Sequence, residues 1–344
     1  MRAAAGPPRP LALSLGDPAG VGPEIVVKAW RALRGEATPF VVVGDADALS
    51  AASGRTPVRR VGAAAQAPEV FADALPVIDM PLKSPVVAGK ASPAYANSVI
   101  RWIETGAGLA LSGQVGGLVT APIAKAPLYE AGFGFPGHTE FLAELTRGAV
   151  YPGPRGPAMM LAAADLRCVL VTIHLSLRAA LDALTADAIV ETARVTAHAL
   201  REDFGIARPR LALAGLNPHA GESGTLGREE IEIVAPAAVR LRAEGIDITD
   251  PKPADTLFHP EARARYDAAV CLYHDQALIP VKTVDFWGGV NATLGLPIVR
   301  TSPDHGVGYD IAGRGLARPD SLVAAVRMAA AMAARREAAR LARP

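Results

Sequence analysis

Residues 268–274 read AAVCLYH, a short apolar run that ends in a histidine. The same pattern occurs in RCVLVTIHLS, which contains His174, and in LALAGLNPHAGE, where His219 follows the apolar run. Runs of this length, rich in β-branched residues, predict strands that are buried on both faces of a sheet. Polar or turn-forming residues follow each run. We therefore expect His174, His219 and His274 at the ends of three buried strands.

The rest of the chain repeats an alternation of strand, turn and helix. Strands of ordinary length alternating with helices of ten or more residues predict an α/β fold with a largely parallel sheet covered on both faces. A chain of 344 residues is long enough for about two such domains. The clearest predicted strands are 11–16, 39–44, 116–122 and 210–216, and the clearest helices are 92–113, 177–205 (broken near Thr185), 227–245 and 320–344.

The composition excludes several classes of function. The net charge is +1, from 35 basic and 34 acidic residues, which gives no electrostatic surface for nucleic acid or for membranes. No apolar stretch approaches the roughly 18 residues of a membrane span. The opening MRAAAGPPRP is interrupted by prolines and lacks the apolar core of a signal peptide. Cys168 and Cys271 lie in predicted buried strands and fit reduced thiols, so we expect a cytoplasmic enzyme.

The three histidines indicate a metal site. In open α/β sheets, ligands gather beyond the carboxyl ends of the strands. Three imidazoles delivered there would suit zinc or cobalt and would leave a coordination position for substrate or water. Their spacings match no short zinc motif, so each remains open to a second interpretation as a hydrogen-bonded turn residue.

Two further motifs indicate anion binding. GFPGHTEFLAEL (134–145) places His138 and Thr139 at a predicted helix start, where free N–H groups attract anions, although Thr139 would also suit a simple N-cap. Residues 281–321 contain Lys282, Asn291 and Arg300 among glycines and prolines, and Lys and Arg are natural partners of phosphate or carboxylate. The glycine-rich loop from Asp304 to Gly315 would let the backbone approach a flat or phosphorylated ligand. It is not a G-x-G-x-x-G fingerprint, so no Rossmann site is predicted.

Taken in order, GDPAGVGPEI, GHTEFLAE, LNPHAGESGTLGREE, PADTLF, YHDQALIPVKT and GVNATLGLPIVRTSPDHG closely resemble the 4-hydroxythreonine-4-phosphate dehydrogenase family of pyridoxal phosphate biosynthesis. DHGVGYDIAGRGLARPDS also resembles the cofactor loop of isopropylmalate and isocitrate dehydrogenases. The resemblance implies a two-domain α/β/α subunit with a cleft between domains, and a homodimer whose subunits share each site. We expect one domain from 10–128 with 281–335, carrying the cofactor loop, and one from 129–280, carrying metal ligands and dimer contacts.

The resemblance also implies roles for matching residues. A divalent metal, zinc, cobalt or magnesium, would be held by His174, His219 and His274. NAD or NADP would be bound by the loop that contains Asp304, His305, Gly306, Asp310 and Gly313. The phosphorylated amino-acid substrate would contact His138, Thr139, Lys282, Asn291 and Arg300. Asp255 and Asp275 are candidates for proton transfer or for orienting a ligand, with a turn cap and a salt-bridge partner as equally good interpretations.

The implied reaction is the NAD(P)-dependent oxidation and decarboxylation of 4-phosphohydroxy-L-threonine to 3-amino-2-oxopropyl phosphate. The nearest alternative is a sibling dehydrogenase acting on threonate or erythronate 4-phosphate, or on a cis-dihydrodiol carboxylate. A metallohydrolase that activates water would not explain the dinucleotide-like loop. A non-catalytic binding protein would not explain intact metal and anion motifs.

Overall fold

The computed structural model describes residues 9–342, which form two compact units, and most of the opening MRAAAGPPRP lies outside the described residues. The first unit contains the described residues up to Val150 together with Pro297–Ala338, and the second contains Tyr151–Leu296 and the described residues after Ala338. Both units are mixed α/β structures, as the alternation of strands and helices predicts. No helix among residues 9–342 has the length and apolar character needed to cross a membrane.

The strands of the first unit are all parallel. Within the described residues their order is β3-β4-β2-β1-β5-β12. Their bounds are β1 Leu11–Ser14, β2 Phe40–Gly44, β3 Val58–Arg60, β4 Leu75–Asp79, β5 Leu118–Thr120 and β12 Arg300–Pro303. The helices of this unit are α1 Gly22–Leu33, α2 Ala46–Ser53, α3 Ala67–Val70, α4 Ala96–Leu111, α5 Lys125–Glu130, α6 His138–Leu145 and most of α12 Asp320–Ala342.

The second unit has the strand order β11-β6-β7-β10-β8-β9 within the described residues. The β11–β6 and β6–β7 pairs are antiparallel, and the other pairs are parallel. The strands are β6 Ala158–Ala163, β7 Leu166–Leu170, β8 Arg210–Leu213, β9 Asp247–Ile248, β10 Ala268–Cys271 and β11 Val290–Leu294. The helices are α7 Leu177–Ala183, α8 Ala186–Glu202, α9 Ala235–Ala243, α10 Pro260–Arg263 and α11 His274–Val284.

Alternate residues of the strands of the second unit enter two separate apolar layers. Leu211, Leu213 and Val270 pack with residues of α8 and α9 on one face, whereas Ala212 and Cys271 face α11 on the other. Successive strand side chains point to opposite faces, so two helical layers are needed to cover such strands. Full burial of each Leu or Val side chain contributes roughly 1.5–3 kcal/mol, which fixes the strand register.

The elements differ from the sequence predictions mainly at their ends. The predicted helix 177–205 is two helices, α7 and α8, and Thr185 is the N-cap of the second, accepting from the N–H of Ala188 at 3.1 Å. The strand before His174 ends at Leu170, and the strand before His274 ends at Cys271. His274 is instead the first residue of α11, a helix that the sequence analysis did not predict.

The change-over points of the units lie at Val150–Tyr151 and Leu296–Pro297, whereas the predicted domains change at 128–129 and 280–281. The chain from 281 to 296 belongs to the second unit because β11 pairs with β6, residue Asn291 opposite Leu161. The chain from 129 to 150 belongs to the first unit, where α6 packs against α4. His138 and Thr139 therefore lie in the first unit, and Lys282 and Asn291 in the second.

Candidate active site

In the second unit, the three histidines follow three adjacent parallel strands. His174 follows β7, His274 follows β10 and His219 follows β8, and these strands are neighbours in the order β7-β10-β8. Their carboxyl ends therefore meet at one edge of the sheet. The rings of His174 and His274 lie with their centroids 5.8 Å apart and an interplanar angle of 42°. The structure thus brings two of the three predicted metal ligands together.

Buried side chains connect the ends of these strands. The hydroxyl of Thr172 donates to the carbonyl oxygen of Leu272 at 2.8 Å. The amide of Gln276 accepts from the N–H of Leu272 at 2.7 Å and donates to the carbonyl oxygen of Gly215 at 2.6 Å. Such buried hydrogen bonds are expensive to lose because the groups left behind have no water. They fix the backbone from which the histidines project.

Asp275 lies beside His274, where its carboxylate Oδ1 is 2.7 Å from Nδ1 of the ring. An ionised carboxylate only accepts, so in the neutral imidazole this contact favours the tautomer with the proton on Nδ1 and the lone pair on Nε2. Carboxylate partners of this kind orient metal-binding histidines. This contact fits both orientation of His274 and the salt-bridge interpretation of Asp275.

His219 is exposed and lies on the segment Pro218–Gly224, in which His219 to Ser223 all have positive φ angles between 44° and 80°. Among residues 9–342, no three His, Cys, Asp or Glu side chains are grouped closely enough to hold a metal ion. The two adjacent imidazoles of His174 and His274 still fit the donor chemistry of a zinc-type ion. The Asp275 carboxylate favours the His274 tautomer whose Nε2 can bind such an ion. The complete three-histidine site remains a proposal.

The other predicted residues of the second unit have distinct environments. Asp255 is exposed on the turn Ala254–Thr256, which packs against the segment that contains His219. The Lys282 ammonium lies 5.2 Å from the ring centroid of Phe286. Asn291 on β11 has a buried Oδ1 without a hydrogen-bond partner in the described residues. Buried polar atoms are rarely left unpaired, so this oxygen has capacity for a hydrogen bond from a bound ligand.

In the first unit, Arg300 and His138 form a cluster around one shielded positive charge, that of Arg300. Arg300 begins β12, is 2% exposed, and donates from Nη2 to the hydroxyl of Thr120 at 2.7 Å. His138 is the first residue of α6 and is followed by the buried Thr139. His138 keeps partial exposure, but its Nε2 is buried without a partner in the part of the chain that the structure describes. These features suit an anionic ligand.

His138 has an unusual electrostatic environment for a histidine. Burial, reinforced by the positive charges of Arg300 and Lys125, holds the pKa of His138 well below its ordinary value of 6.5. Burial also lowers the pKa of Arg300 to about 10, with Glu140 acting in the opposite direction. His138 is therefore neutral at physiological pH, and the permanent charge comes from the arginine.

Lys125 was not predicted from the sequence. Its Cε and Nζ lie 3.6 and 3.8 Å from the position of a β-carbon built on Gly137. It begins α5 in APIAKAPLYE, directly after the strand GGLVT, and this position at the carboxyl end of β5 is the signal that could have identified it.

The predicted cofactor loop is fastened to the turn between β1 and α1. The Tyr309 hydroxyl donates to Asp17 Oδ2 at 2.5 Å, and the N–H of Val21 donates to the carbonyl oxygen of Val307 at 2.8 Å. Further along the loop, Glu24 accepts from the N–H groups of Gly315 and Ala317. These anchors were not predicted from the sequence.

The predicted cofactor residues lie along this anchored loop. The N–H of Asp304 donates to the Ser321 hydroxyl at 3.0 Å, while His305, Gly306 and Asp310 are exposed. Gly313 has φ +73°, and a β-carbon there would come within 2.8 Å of the Ala88 β-carbon. Beside this loop lies a cavity of about 470 Å³, lined mainly by small residues, Pro18, Gly20, Pro23, Glu24, Ala48, Ala51, Ala52, Val86, Ala88, Gly313 and Gly315.

The fold and the site together define an α/β enzyme scaffold. The second unit carries paired imidazoles at the carboxyl ends of parallel strands, and the first unit carries the shielded positive charge of Arg300. A family model described as pyridoxal phosphate biosynthetic protein PdxA matches residues 36–329, and the chain belongs to this family. It is 69% identical over 328 residues to a 4-hydroxythreonine-4-phosphate dehydrogenase of Caulobacter vibrioides, covering 95% of this chain and 98% of that one. The family resemblance inferred from the motifs is confirmed.

Solved structures agree with this assignment. A 4-hydroxythreonine-4-phosphate dehydrogenase of Klebsiella pneumoniae superposes with a TM-score of 0.84 at 40% identity, covering 95% of this chain and 98% of that one. A terephthalate 1,2-cis-dihydrodiol dehydrogenase of Burkholderia xenovorans LB400 gives a TM-score of 0.63 at 30% identity, covering 94% and 98%. Membership of a dehydrogenase family implies a nicotinamide cofactor and a divalent metal.

Proposed function

We propose that this chain catalyses the NAD(P)-dependent, divalent-metal-assisted oxidation and decarboxylation of 4-phosphohydroxy-L-threonine to 3-amino-2-oxopropyl phosphate, in pyridoxine 5′-phosphate biosynthesis. The observation that carries the proposal is the proximity of the His174 and His274 rings, 5.8 Å apart, at the carboxyl edge of parallel strands. The 69% identity to a protein of that name gives independent support.

His174, His219 and His274 would hold zinc, cobalt or magnesium. When bound, the metal would supply Lewis-acid polarisation of the substrate's C3 hydroxyl, and NAD or NADP would accept the hydride released from C3. Asp275 keeps Nδ1 of His274 protonated and so directs Nε2 to the ligand. Asp255 and Asp275 are the carboxylates we propose for the hydroxyl proton or for orientation of the site.

Arg300, Lys282 and the His138–Thr139 turn would bind the phosphate and carboxylate of the substrate. Arg300 is shielded from water, which strengthens its interaction with an anion. Neutral His138 would gain an oxygen of the anion as the hydrogen-bond partner that its Nε2 lacks in the described residues. The Oδ1 of Asn291 is an acceptor and would instead pair with a donor, the ammonium or hydroxyl group of the substrate. The carboxylate that is lost as CO2 would be oriented by these same contacts.

The loop containing Asp304, His305, Gly306, Asp310 and Gly313 would bind the cofactor. Its anchoring through Tyr309 and Glu24 would fix the backbone against which a dinucleotide lies. The adjacent cavity of about 470 Å³ is of the size that small-molecule sites usually have.

We further propose a cytoplasmic homodimer with shared active sites. Leu175, Leu177 and Leu181 are exposed next to His174, and such apolar residues suit a subunit interface. If a partner subunit completes the site, this would also explain why only two of the three imidazoles lie together within the described residues of one chain. The free, buried thiols of Cys168 and Cys271 are compatible with a reducing compartment.

A second candidate is the oxidation of a cis-dihydrodiol carboxylate, favoured by the likeness to the Burkholderia xenovorans enzyme. The decisive experiment is metal analysis of the purified protein, coupled to NAD(P)H absorbance with 4-phosphohydroxy-L-threonine, threonate 4-phosphate, erythronate 4-phosphate and terephthalate cis-dihydrodiol. We expect turnover with the first compound, dependent on added divalent metal. Turnover with only one of the other compounds would identify that compound as the substrate. Activity without NAD(P)+ would support a metallohydrolase instead.

A further inference from the structure

Glu230 is a buried carboxylate that none of the proposed chemistry uses. It begins the π-helical turn Glu230–Val234 and is 5% exposed. Its Oε1 accepts from the N–H groups of Leu216 and Asn217, each at 2.7 Å, and its Oε2 accepts from Nδ2 of Asn217 at 2.9 Å. Three N–H donors therefore stabilise this carboxylate away from water.

The segment that these bonds hold is conformationally strained. His219, Ala220, Glu222 and Ser223 have φ angles of 53°, 52°, 44° and 57°, a left-handed conformation that residues with a β-carbon seldom adopt. A run of this kind persists only where the surrounding structure over-determines it. Glu230 fixes the chain at Leu216 and Asn217, immediately before the run begins.

Glu230 also contacts the middle of the run. A β-carbon built on Gly221, which has φ +80°, would lie 2.7 Å from Oε2 of Glu230. The backbone at Gly221 thus passes so close to the carboxylate that a β-carbon there would force one of the two to shift. One side chain therefore sets both the start and the centre of the segment that carries His219.

We propose that Glu230 is a positioning residue for metal binding, which holds the His219 segment in the conformation that presents its imidazole. The inference rests on the proposed role of His219 as a metal ligand. A glutamine at this position would keep the size but replace one acceptor oxygen by an N–H2 donor, which would face other donors. The remaining oxygen would still accept from the N–H groups of Leu216 and Asn217, but the bond from Asn217 Nδ2 and the negative charge would be lost. The segment would then be held less firmly while His219 itself stays intact.

The test is the affinity of metal-free protein for Zn2+, measured by competition with a chromophoric chelator, so that the readout does not depend on turnover. We expect Glu230→Gln to weaken binding about 10- to 100-fold, the range for groups that orient metal ligands. Glu232→Gln is the matched control, because Glu232 lies two residues away, is exposed and pairs with Arg228. His219→Ala should lose more affinity than Glu230→Gln, and saturating metal should restore turnover to Glu230→Gln but not to His219→Ala.

The outcomes separate the inference from the function on which it rests. Wild-type affinity in Glu230→Gln, together with loss in His219→Ala, overturns the positioning role alone. Wild-type affinity in His219→Ala overturns the proposed metal ligand. If Glu230→Gln does not fold, Gly221→Ala decides, because its β-carbon would lie 2.7 Å from Oε2 of Glu230 and disturb the contact between the carboxylate and the segment without removing either group. Reduced affinity in Gly221→Ala supports the positioning role, and unchanged affinity refutes it.

Discussion

The imidazole of His274 lies 2.7 Å from the carboxylate of Asp275 and has the ring of His174 as its neighbour, at 5.8 Å between centroids. The His274 ring thus has a carboxylate partner that favours its Nδ1–H tautomer. The neighbouring His174 ring would supply a second ligand to an ion bound at His274. We expect Asp275→Asn to weaken Zn2+ affinity of the metal-free protein about 10- to 100-fold, because an amide no longer secures Nδ1–H. His259→Ala, which removes a histidine paired with Glu261 on the surface, should leave affinity unchanged. Equal affinity in Asp275→Asn and the wild type would contradict the orienting role.

Replacing Arg300 by Ala should raise KM for the phosphorylated substrate much more than KM for NAD(P)+. Hydrogen bonds to charged groups contribute roughly 1.5–3 kcal/mol, so we expect an increase of about 10- to 150-fold in steady-state assays. Arg327→Ala removes an exposed arginine paired with Glu36 and is the control. Similar increases in both KM values would count against an anion-binding role for Arg300.

Acid should destabilise the wild type partly through His138. Below about pH 6.5 the unfolded chain protonates this histidine, whereas its lowered pKa keeps it neutral in the fold. Stability from this source is therefore complete above that pH and is lost as the pH falls, at up to about 1.4 kcal/mol per pH unit. His138→Asn lacks this proton uptake, so the Tm difference between wild type and variant should shrink between about pH 7 and about pH 5. A constant or widening difference would show that His138 is protonated in the folded protein.

Tyr309→Phe should affect the cofactor and spare the substrate. The change removes the hydrogen bond to Asp17 that fastens the glycine-rich loop to the turn after β1. A typical net hydrogen bond contributes about 1 kcal/mol, so we expect roughly a fivefold rise in KM for NAD(P)+. The KM for 4-phosphohydroxy-L-threonine, measured at saturating cofactor, serves as the internal control. An unchanged cofactor KM would mean that this anchor does not serve the cofactor.

Analytical ultracentrifugation should find the wild type as a dimer. Leu177→Glu with Leu181→Glu places charges on the exposed face of α7 beside His174 and should give monomers, because a buried interface does not tolerate two unpaired carboxylates. Val239→Glu, on the exposed face of α9, is the matched change elsewhere in the unit and should leave the dimer intact. A wild-type monomer that is fully active would contradict the shared site.

The approximate ends of these strands could be predicted because buried parallel strands are continuous apolar runs, although β7 and β10 end at Leu170 and Cys271, before the residues at which the runs stop. AAVCLYH and RCVLVTIH both place a histidine there, and the structure brings these two rings together. The helix that starts at His274 was missed because its first residues, HDQA, follow the strand with no intervening turn signal. The domain limits were set from motifs, whereas β11 belongs with β6 through backbone pairing that leaves no mark in the sequence.

Contacts between distant residues could not be predicted. The low pKa of His138 depends on Arg300 and Lys125, which converge only in the folded unit. Likewise, LNPHAGESGTLGREE contains both His219 and Glu230. The sequence does not show that the backbone from His219 to Ser223 is left-handed, or that the Glu230 carboxylate accepts hydrogen bonds from the residues before it. Side-chain hydrogen bonds to backbone N–H groups depend on local φ and ψ angles, and composition and periodicity do not specify those angles.

The buried amide of Gln276 joins the carboxyl ends of β8 and β10. Because this link forms as the sheet folds, the backbone beneath His274 is already set before any ion arrives. Ion capture would then require little reorganisation on that side, and most of the entropic penalty of capture would fall on the exposed side chain of His219.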